Sequence, residues 1–341
     1  MSAVLRGALV GFGGVARQGH LPAYLRDARF EIQAVVDPEP SARACAAETL
    51  GESVRLYARL AECLSAERLD FVDVAAPPCD HLAAIEQAAA AGVHVLVEKP
   101  LALTLEEAGR AQRAALRAGV ALRVVHNWHH APAFRAARQA LEAGAIGAPD
   151  EIEFVTERTQ PAGGGGPSWR LDAKIAGGGI LVDHGWHQLY LAQALLGGSE
   201  PQSVRAAIEC RRWTQGSVED TAQVRVRYRR GARARLLLTW AAPERRTSVT
   251  VRGDEGSLRI EAGAVRVEAR GSERPWPSEP DAPDDSYHAT WFPAELEAFA
   301  AAIGEPSRAA ANQREALLCQ AVVHAAYRSG RAAGAEVDVE I

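Results

Sequence analysis

Across the first 125 residues, short apolar runs alternate with alanine-rich segments of helical length, an alternation that leaves few folds open to the chain. The runs are Val4–Val10, Ile32–Val36, Phe71–Ala76, His94–Val97 and Val120–Val125, each closed by turn residues. Between them, residues 14–25, 41–50, 80–91 and 105–118 read as helices. Parallel strands need crossover connections, and right-handed crossovers place the helices on both faces of the sheet. The expected class is α/β, beginning with a doubly wound parallel sheet.

The turn after the first run reads "GFGGVA", and its spacing gives that sheet a use. Gly11 permits a tight turn, Gly13 lets a pyrophosphate approach the backbone, and Ala16 allows close helix packing. Phe12, Gly14 and Val15 belong to the same turn and to the helix start, whose N–H groups attract phosphate. Alone, such a triplet also fits a plain structural turn. Asp37 closes the second run about 20 residues on, where a carboxylate holds a ribose diol and repels a 2′-phosphate. No arginine immediately follows it, so NAD is favoured over NADP. Two further loops leave strands at the same edge: "APPCDHL", with Pro77, and "VEKPLALT", with Glu98 and Lys99. Loops at the carboxyl ends of parallel strands line the ligand crevice, so Pro77, Glu98 and Lys99 join the candidate cofactor site.

At 341 residues the chain suits two domains, here divided as 1–125 and 126–341. Its 48% hydrophobic and 24% charged residues are the balance of a soluble globular protein. No apolar run approaches the roughly 18–20 residues that span a bilayer, and the opening "MSAVLRGALVGFGG" reads as a first strand rather than a leader. A net charge of −5 argues against nucleic acid as a partner. Five widely spaced cysteines suggest reduced thiols and a cytoplasmic setting.

The second half promises a helix over Pro132–Ala143, then strands from "DEIEFVTERT" onward, near 203–212, 220–229, 233–240, 247–252 and 257–267. Arginines alternate with apolar residues there, as in a sheet with one wet face. The stretch 271–288 reads as a surface excursion before a helix near Ala294–Ala302, with Tyr287 and His288 returning toward the pocket. Within "GGGILVDHGWH", a helix from about Gly178 to Leu196 puts Asp183 and His187 one turn apart on one face. Glycines weaken a helix start, which suggests a close approach there by the nicotinamide or the substrate. A helix cap at Asp183 with a surface histidine is the plainer alternative.

Taken together, "GFGGVA", "EKPLALT", "GGGILVDHGWH" and the closing "AAYRSGRAAGAEVDV" resemble the Gfo/Idh/MocA family, the glucose-fructose oxidoreductase and inositol dehydrogenase relatives. The resemblance implies an N-terminal Rossmann domain that binds NAD(P). It implies a C-terminal α/β domain with a large open, mostly antiparallel sheet for substrate and homodimer or homotetramer contacts. It also implies that Lys99, Asp183 and His187 occupy the catalytic positions, and that no metal takes part. Where many members carry asparagine, arginine and an aromatic, this chain has Asn127, Trp128, His129 and His130.

Oxidising a secondary alcohol removes a hydride from carbon and a proton from oxygen, so the protein must handle the proton. His187 suits that transfer near neutrality, Lys99 polarises the reacting oxygen and Asp183 orients it. Asn127, Trp128, His129, Trp169, Arg170 and Trp186 are candidate contacts for a sugar or polyol. A metal held by Asp183, His187 and His129 has no standard ligand spacing behind it, and His126 and His184 read with them as pocket histidines. The glycine run in 159–179 reads as a lid beside the site. Two other functions remain: a redox-assisted lyase or glycosidase that regenerates NAD, for which the same residues serve, and a nonenzymatic NAD-binding regulator, against which the presence of Lys99, Asp183 and His187 together counts.

Overall fold

The computed structural model describes residues 4–161, 168–279 and 287–341. The chain divides into two compact units, Met1–Asn127 with Ala282–Arg314, and Trp128–Asp281 with Glu315–Ile341. The expected break at 125/126 lies within two residues of the first division, while the segment ending at Arg314 rejoins the first unit.

In the first unit, strands β1 (Leu5–Val10), β2 (Phe30–Val36), β3 (Arg55–Tyr57), β4 (Phe71–Val74), β5 (His94–Val97) and β6 (Leu122–Val124) form one parallel sheet, ordered β3-β2-β1-β4-β5-β6. Its helices are a π-helical segment, Val15–His20, continued by α1 (Leu21–Tyr24), then α2 (Pro40–Leu50), α3 (Leu60–Ala66), α4 (Pro78–Ala90) and α5 (Leu105–Ala118). Local chemistry sets their ends. Thr104 accepts a hydrogen bond from the Glu107 N–H at the start of α5, and Gly119 ends it in the left-handed region. β3 and α3 are absent from the sequence reading because β3, largely exposed at the sheet edge, has no apolar run.

The first unit's core joins Leu9, Phe12, Val35, Phe71 and Leu96 to Phe292, Leu296 and Phe299 of α9 (Phe292–Gly304). Glu295 of α9 accepts from Arg123 and from the His126 N–H, burying a charged hydrogen bond beside that apolar contact. These contacts are why a helix so late in the sequence belongs to the N-terminal sheet.

The second unit is built on a nine-stranded sheet, ordered β14-β13-β12-β11-β7-β10-β9-β8-β15. Its strands are β7 (Pro149–Glu157), β8 (Pro201–Glu209), β9 (Thr221–Tyr228), β10 (Arg233–Thr239), β11 (Arg246–Gly253), β12 (Gly256–Glu261), β13 (Ala264–Ala269), β14 (Ser272–Trp276) and β15 (Val337–Asp338). β7 and β10 pair parallel and the other neighbours antiparallel. The run expected at 257–267 is two strands, because Ala262 and Gly263 both take positive φ in a two-residue hairpin. β14, expected to be part of an excursion, adds an edge strand that tolerates Pro275. The helices are α6 (Pro132–Glu142), α7 (Ala173–Ala176), α8 (Trp186–Leu195) and, crossing the division between the units, α10 (Ala310–Arg331). Nearly every residue of α8 is buried, where the sequence suggests one apolar stripe.

Candidate active site

In the first unit the strand order reverses between β1 and β4, and the glycine turn sits at that switch point. Gly11 has φ +88°, and a Cβ there would lie 2.8 Å from the Ala76 nitrogen. Gly13 is exposed, with nothing within 4 Å of where its Cβ would stand. A bare backbone facing open space at a helix start fits a pyrophosphate. Ala16 is fully buried and the Phe12 ring lies in the core, so Phe12 serves the turn through its backbone alone. Its N–H donates to Asp37 Oδ2 at 2.8 Å, while Asp37 Oδ1 accepts from the Glu39 N–H at 2.9 Å. The carboxylate is thereby fixed at the end of β2. Arg43 donates to the carbonyl oxygens of Asp37 and Pro38, a cation at this edge that the sequence reading misses. Tyr287 packs on the turn, its hydroxyl 2.5 Å from a Cβ built at Gly14.

Glu98, Lys99 and Pro100 leave β5 at the same edge, Pro100 through a cis peptide bond. Glu98 turns inward: Oε1 lies 3.1 Å from His20 Nε2, and Oε2 accepts the Lys99 N–H at 3.0 Å. Burial opposes its charge, but His20 and Lys99 outweigh burial and hold the carboxyl below the usual range. Beyond Lys99, His81 Nδ1 lies 2.8 Å from the Pro100 oxygen and its Nε2 lies 2.9 Å from the Ala76 oxygen. Pro77 caps α4, the helix that carries His81.

The glycines of "GGGILVDHGWH" answer to the protein's own atoms rather than to a nicotinamide ring or substrate. A Cβ on Gly178 would collide with the Tyr327 hydroxyl, and one on Gly179 with the Glu219 carbonyl oxygen. Glu219 is buried and accepts the N–H groups of Gly179 and Leu181 and the Tyr327 hydroxyl, capping the helix that follows. Burial pushes its carboxyl pKa up, with those donors opposing. The helix expected from Gly178 therefore starts as a π-helical turn, Leu181–Gly185, before α8. Gly179→Ala should lower the thermal midpoint by ~2–8 °C, since overpacking against backbone costs about 1–3 kcal/mol. Calorimetry checks this, and an unchanged midpoint contradicts the packing.

Asp183 lies within that π turn, its Oδ2 3.2 Å from His184 Nδ1. His187, on the first turn of α8, is buried; its Nδ1 lies 2.8 Å from the Tyr190 hydroxyl and its ring stacks on Trp128 at 4.8 Å. Tyr190 also accepts the Trp128 N–H at 3.1 Å. Trp128 and His187 are thus brought together, and Tyr190 is a site residue that sequence reasoning misses. Its signal was a polar aromatic three residues beyond His187 on one helix face.

The remaining candidates divide. Asn127 and His130 bound a 3-10 turn, within which His129 points Nε2 at Glu315, 3.1 Å from either carboxylate oxygen. Trp169 is 37% exposed with the Arg170 guanidinium 4.3 Å over its ring, an arrangement open to a sugar face. Trp186 is a correction: expected to touch substrate, it is 0% exposed and among the largest fully buried side chains, so its indole has no face to offer. The glycine run expected to form a lid lies outside the described residues. Arg158, unforeseen, directly follows β7; burial and Arg245 push its pKa down to about 10, while the charge of Asp183 opposes them.

Residues 5–126 match the oxidoreductase family with an NAD-binding Rossmann fold, and residues 134–259 match the GFO/IDH/MocA C-terminal domain. The chain belongs to the Gfo/Idh/MocA family. It is an oxidoreductase of that family with an NAD-binding Rossmann domain. It is 33% identical to D-apiose dehydrogenase of Paraburkholderia graminis over 75% of this chain and 68% of that protein. It is 35% identical to 1,5-anhydro-D-fructose reductase of Ensifer adhaerens over 49% of this chain and 50% of that one. Among solved structures, GenD2 from gentamicin A biosynthesis, in complex with NAD, is 27% identical with a TM-score of 0.84, covering 100% of this chain and 98% of that one. Aldose-aldose oxidoreductase from Caulobacter crescentus, complexed with glycerol, is 26% identical with a TM-score of 0.85, covering 98% and 99%.

Of the 38 lysines and arginines in this Gfo/Idh/MocA chain, only Lys99 and Lys174 are lysines. Compact ammonium groups therefore stand at these two positions alone, and the one at 99 follows β5 at the crevice edge. Tyr190→Phe should lower kcat about tenfold with KM changed less than threefold, because one orienting hydrogen bond is worth about 1.4 kcal/mol. Steady-state kinetics on a substrate of this enzyme measures it; an unaltered kcat removes Tyr190 from the site.

Proposed function

We propose that the chain is an NAD-dependent dehydrogenase that transfers a hydride between nicotinamide and a secondary alcohol of a sugar, inositol or related polyol. The observation that carries this reading is His187 held through Nδ1 by Tyr190 and stacked on Trp128. The Tyr190 hydroxyl, which accepts the Trp128 N–H, also engages His187 Nδ1, so proton exchange with substrate falls to Nε2. Lys99 polarises the carbinol oxygen, His187 takes its proton and Asp183 orients the hydroxyl. Trp169 and Arg170 supply a stacking face and donors for neighbouring hydroxyls. When bound, nicotinamide supplies the hydride acceptor or donor.

The fixed Asp37 carboxylate favours a ribose diol, supporting NAD, while Arg43 allows some use of NADP. Self-association as a homodimer or homotetramer is assigned to the outer face of the nine-stranded sheet. Ion pairs such as Arg235–Glu153 and Arg252–Glu151 make that face polar. No described helix is long and apolar enough to cross a membrane, and five free cysteines fit a cytoplasmic enzyme. The test is a panel of sugars and polyols with NAD, following reduced nicotinamide. Net accumulation supports a dehydrogenase; turnover without accumulation indicates a redox-neutral lyase or glycosidase; no turnover with any member, despite dinucleotide binding, favours a regulator. The ratio of kcat/KM for NAD over NADP is expected above about tenfold and should collapse in Asp37→Ser.

A further inference from the structure

His20, in the helical segment after the glycine turn, is fully enclosed between two carboxylates. Its Nδ1 lies 2.9 Å from Asp73 Oδ2 and its Nε2 3.1 Å from Glu98 Oε1, while its ring stacks on Phe292 at 3.9 Å. Asp73 stands in the middle of β4 with no exposure at all, and the Tyr24 hydroxyl lies beside it. A neutral imidazole donates from one nitrogen only, so two carboxylates at its two nitrogens require both to be protonated. A buried ionic trio of this kind adds little stability over apolar residues of the same volume. Its placement suggests another use. Glu98 holds His20 with one oxygen and the backbone N–H of Lys99 with the other. The next peptide, at Pro100, faces the buried imidazole of His81.

We propose that His20 is a positioning residue for Lys99: by clamping the Glu98 carboxylate it fixes the peptide that carries the amine, and so ties the dinucleotide turn to the catalytic rim. This rests on Lys99 acting in the dehydrogenase reaction proposed above. His20 touches neither substrate nor the reacting atoms. Its effect therefore falls chiefly on kcat through Lys99.

Two substitutions separate the two contacts. The amide nitrogen of Gln lies near the histidine Nε2 position and keeps a donor to Glu98; that of Asn lies near Nδ1 and keeps only the donor to Asp73. His20→Gln should retain kcat within about threefold, and His20→Asn should lose more than about 30-fold, each with KM and the NADH dissociation constant within about threefold. Acetic anhydride labelling, read by mass spectrometry as the ratio of Lys99 to exposed Lys174, needs no turnover; it should change in His20→Asn and stay near wild type in His20→Gln. Equal losses in both variants, or wild-type labelling in His20→Asn, overturn the proposal. If the wild type oxidises no sugar, the dehydrogenase reading fails while the labelling ratio still decides this one. Should both variants unfold, Glu98→Gln takes their place: a kcat loss with altered Lys99 labelling supports the clamp, and wild-type values for both refute it.

Discussion

His187→Asn should lower kcat on the best sugar or polyol by 10²- to 10⁴-fold, the range that positioned acid–base catalysis contributes. KM should move by no more than a few fold, because the imidazole acts on the proton in the transition state rather than on the bound ground state. Asparagine keeps a donor near Nδ1 for Tyr190, so the fold around α8 survives and the loss reports chemistry. Reduced nicotinamide measured at saturating NAD reads both quantities. A loss smaller than tenfold would move the proton-transfer role to another group.

The second large effect is on stability. Burial alone would lower the His20 pKa, but Asp73 and Glu98 overcome it and raise the imidazole from 6.5 to about 10. The folded protein therefore holds this proton more tightly than the unfolded chain does. The stabilisation is fully present below pH 6.5 and decays as pH climbs toward 10. The loss is on the order of a kcal/mol or more across that range, since each tenfold gain in proton affinity is worth about 1.4 kcal/mol. The buried Cys63 and Cys319 thiols, whose pKa values burial also raises, cost further stability in alkali in any variant. The comparison must therefore be a difference. Urea midpoints of wild type minus His20→Gln, taken across that range, should fall steadily; two parallel curves would show that His20 carries no extra proton in the native state.

Much of this was legible in the residues because local rules and tertiary context agree. The glycine turn, Asp37 at the end of β2 and Lys99 after β5 each follow from a strand end. Contacts set by distant residues were not legible. Glu219 lies 40 residues from Gly179, so the glycines looked like room for a ligand when they make room for a cap. Trp186 beside His187 looked like a stacking residue because helical position does not reveal that α8 is buried on nearly every side. Tyr190 is not legible as a site residue, since only the fold brings the Trp128 N–H to its oxygen. The same holds for β14, whose proline is acceptable only at a sheet edge, and for His20, whose two carboxylates lie 53 and 78 residues away.

The late return of α9 has a consequence for biosynthesis. Phe292, Leu296 and Phe299 complete the apolar centre of the first unit, yet the ribosome makes them only after nearly all of the nine-stranded sheet. A nascent chain halted at Asn127 lacks those rings and the carboxylate of Glu295 that holds the His126 N–H and Arg123. The N-terminal half must then wait, incompletely packed and open to proteases or chaperones, until translation of the closing segment seals it.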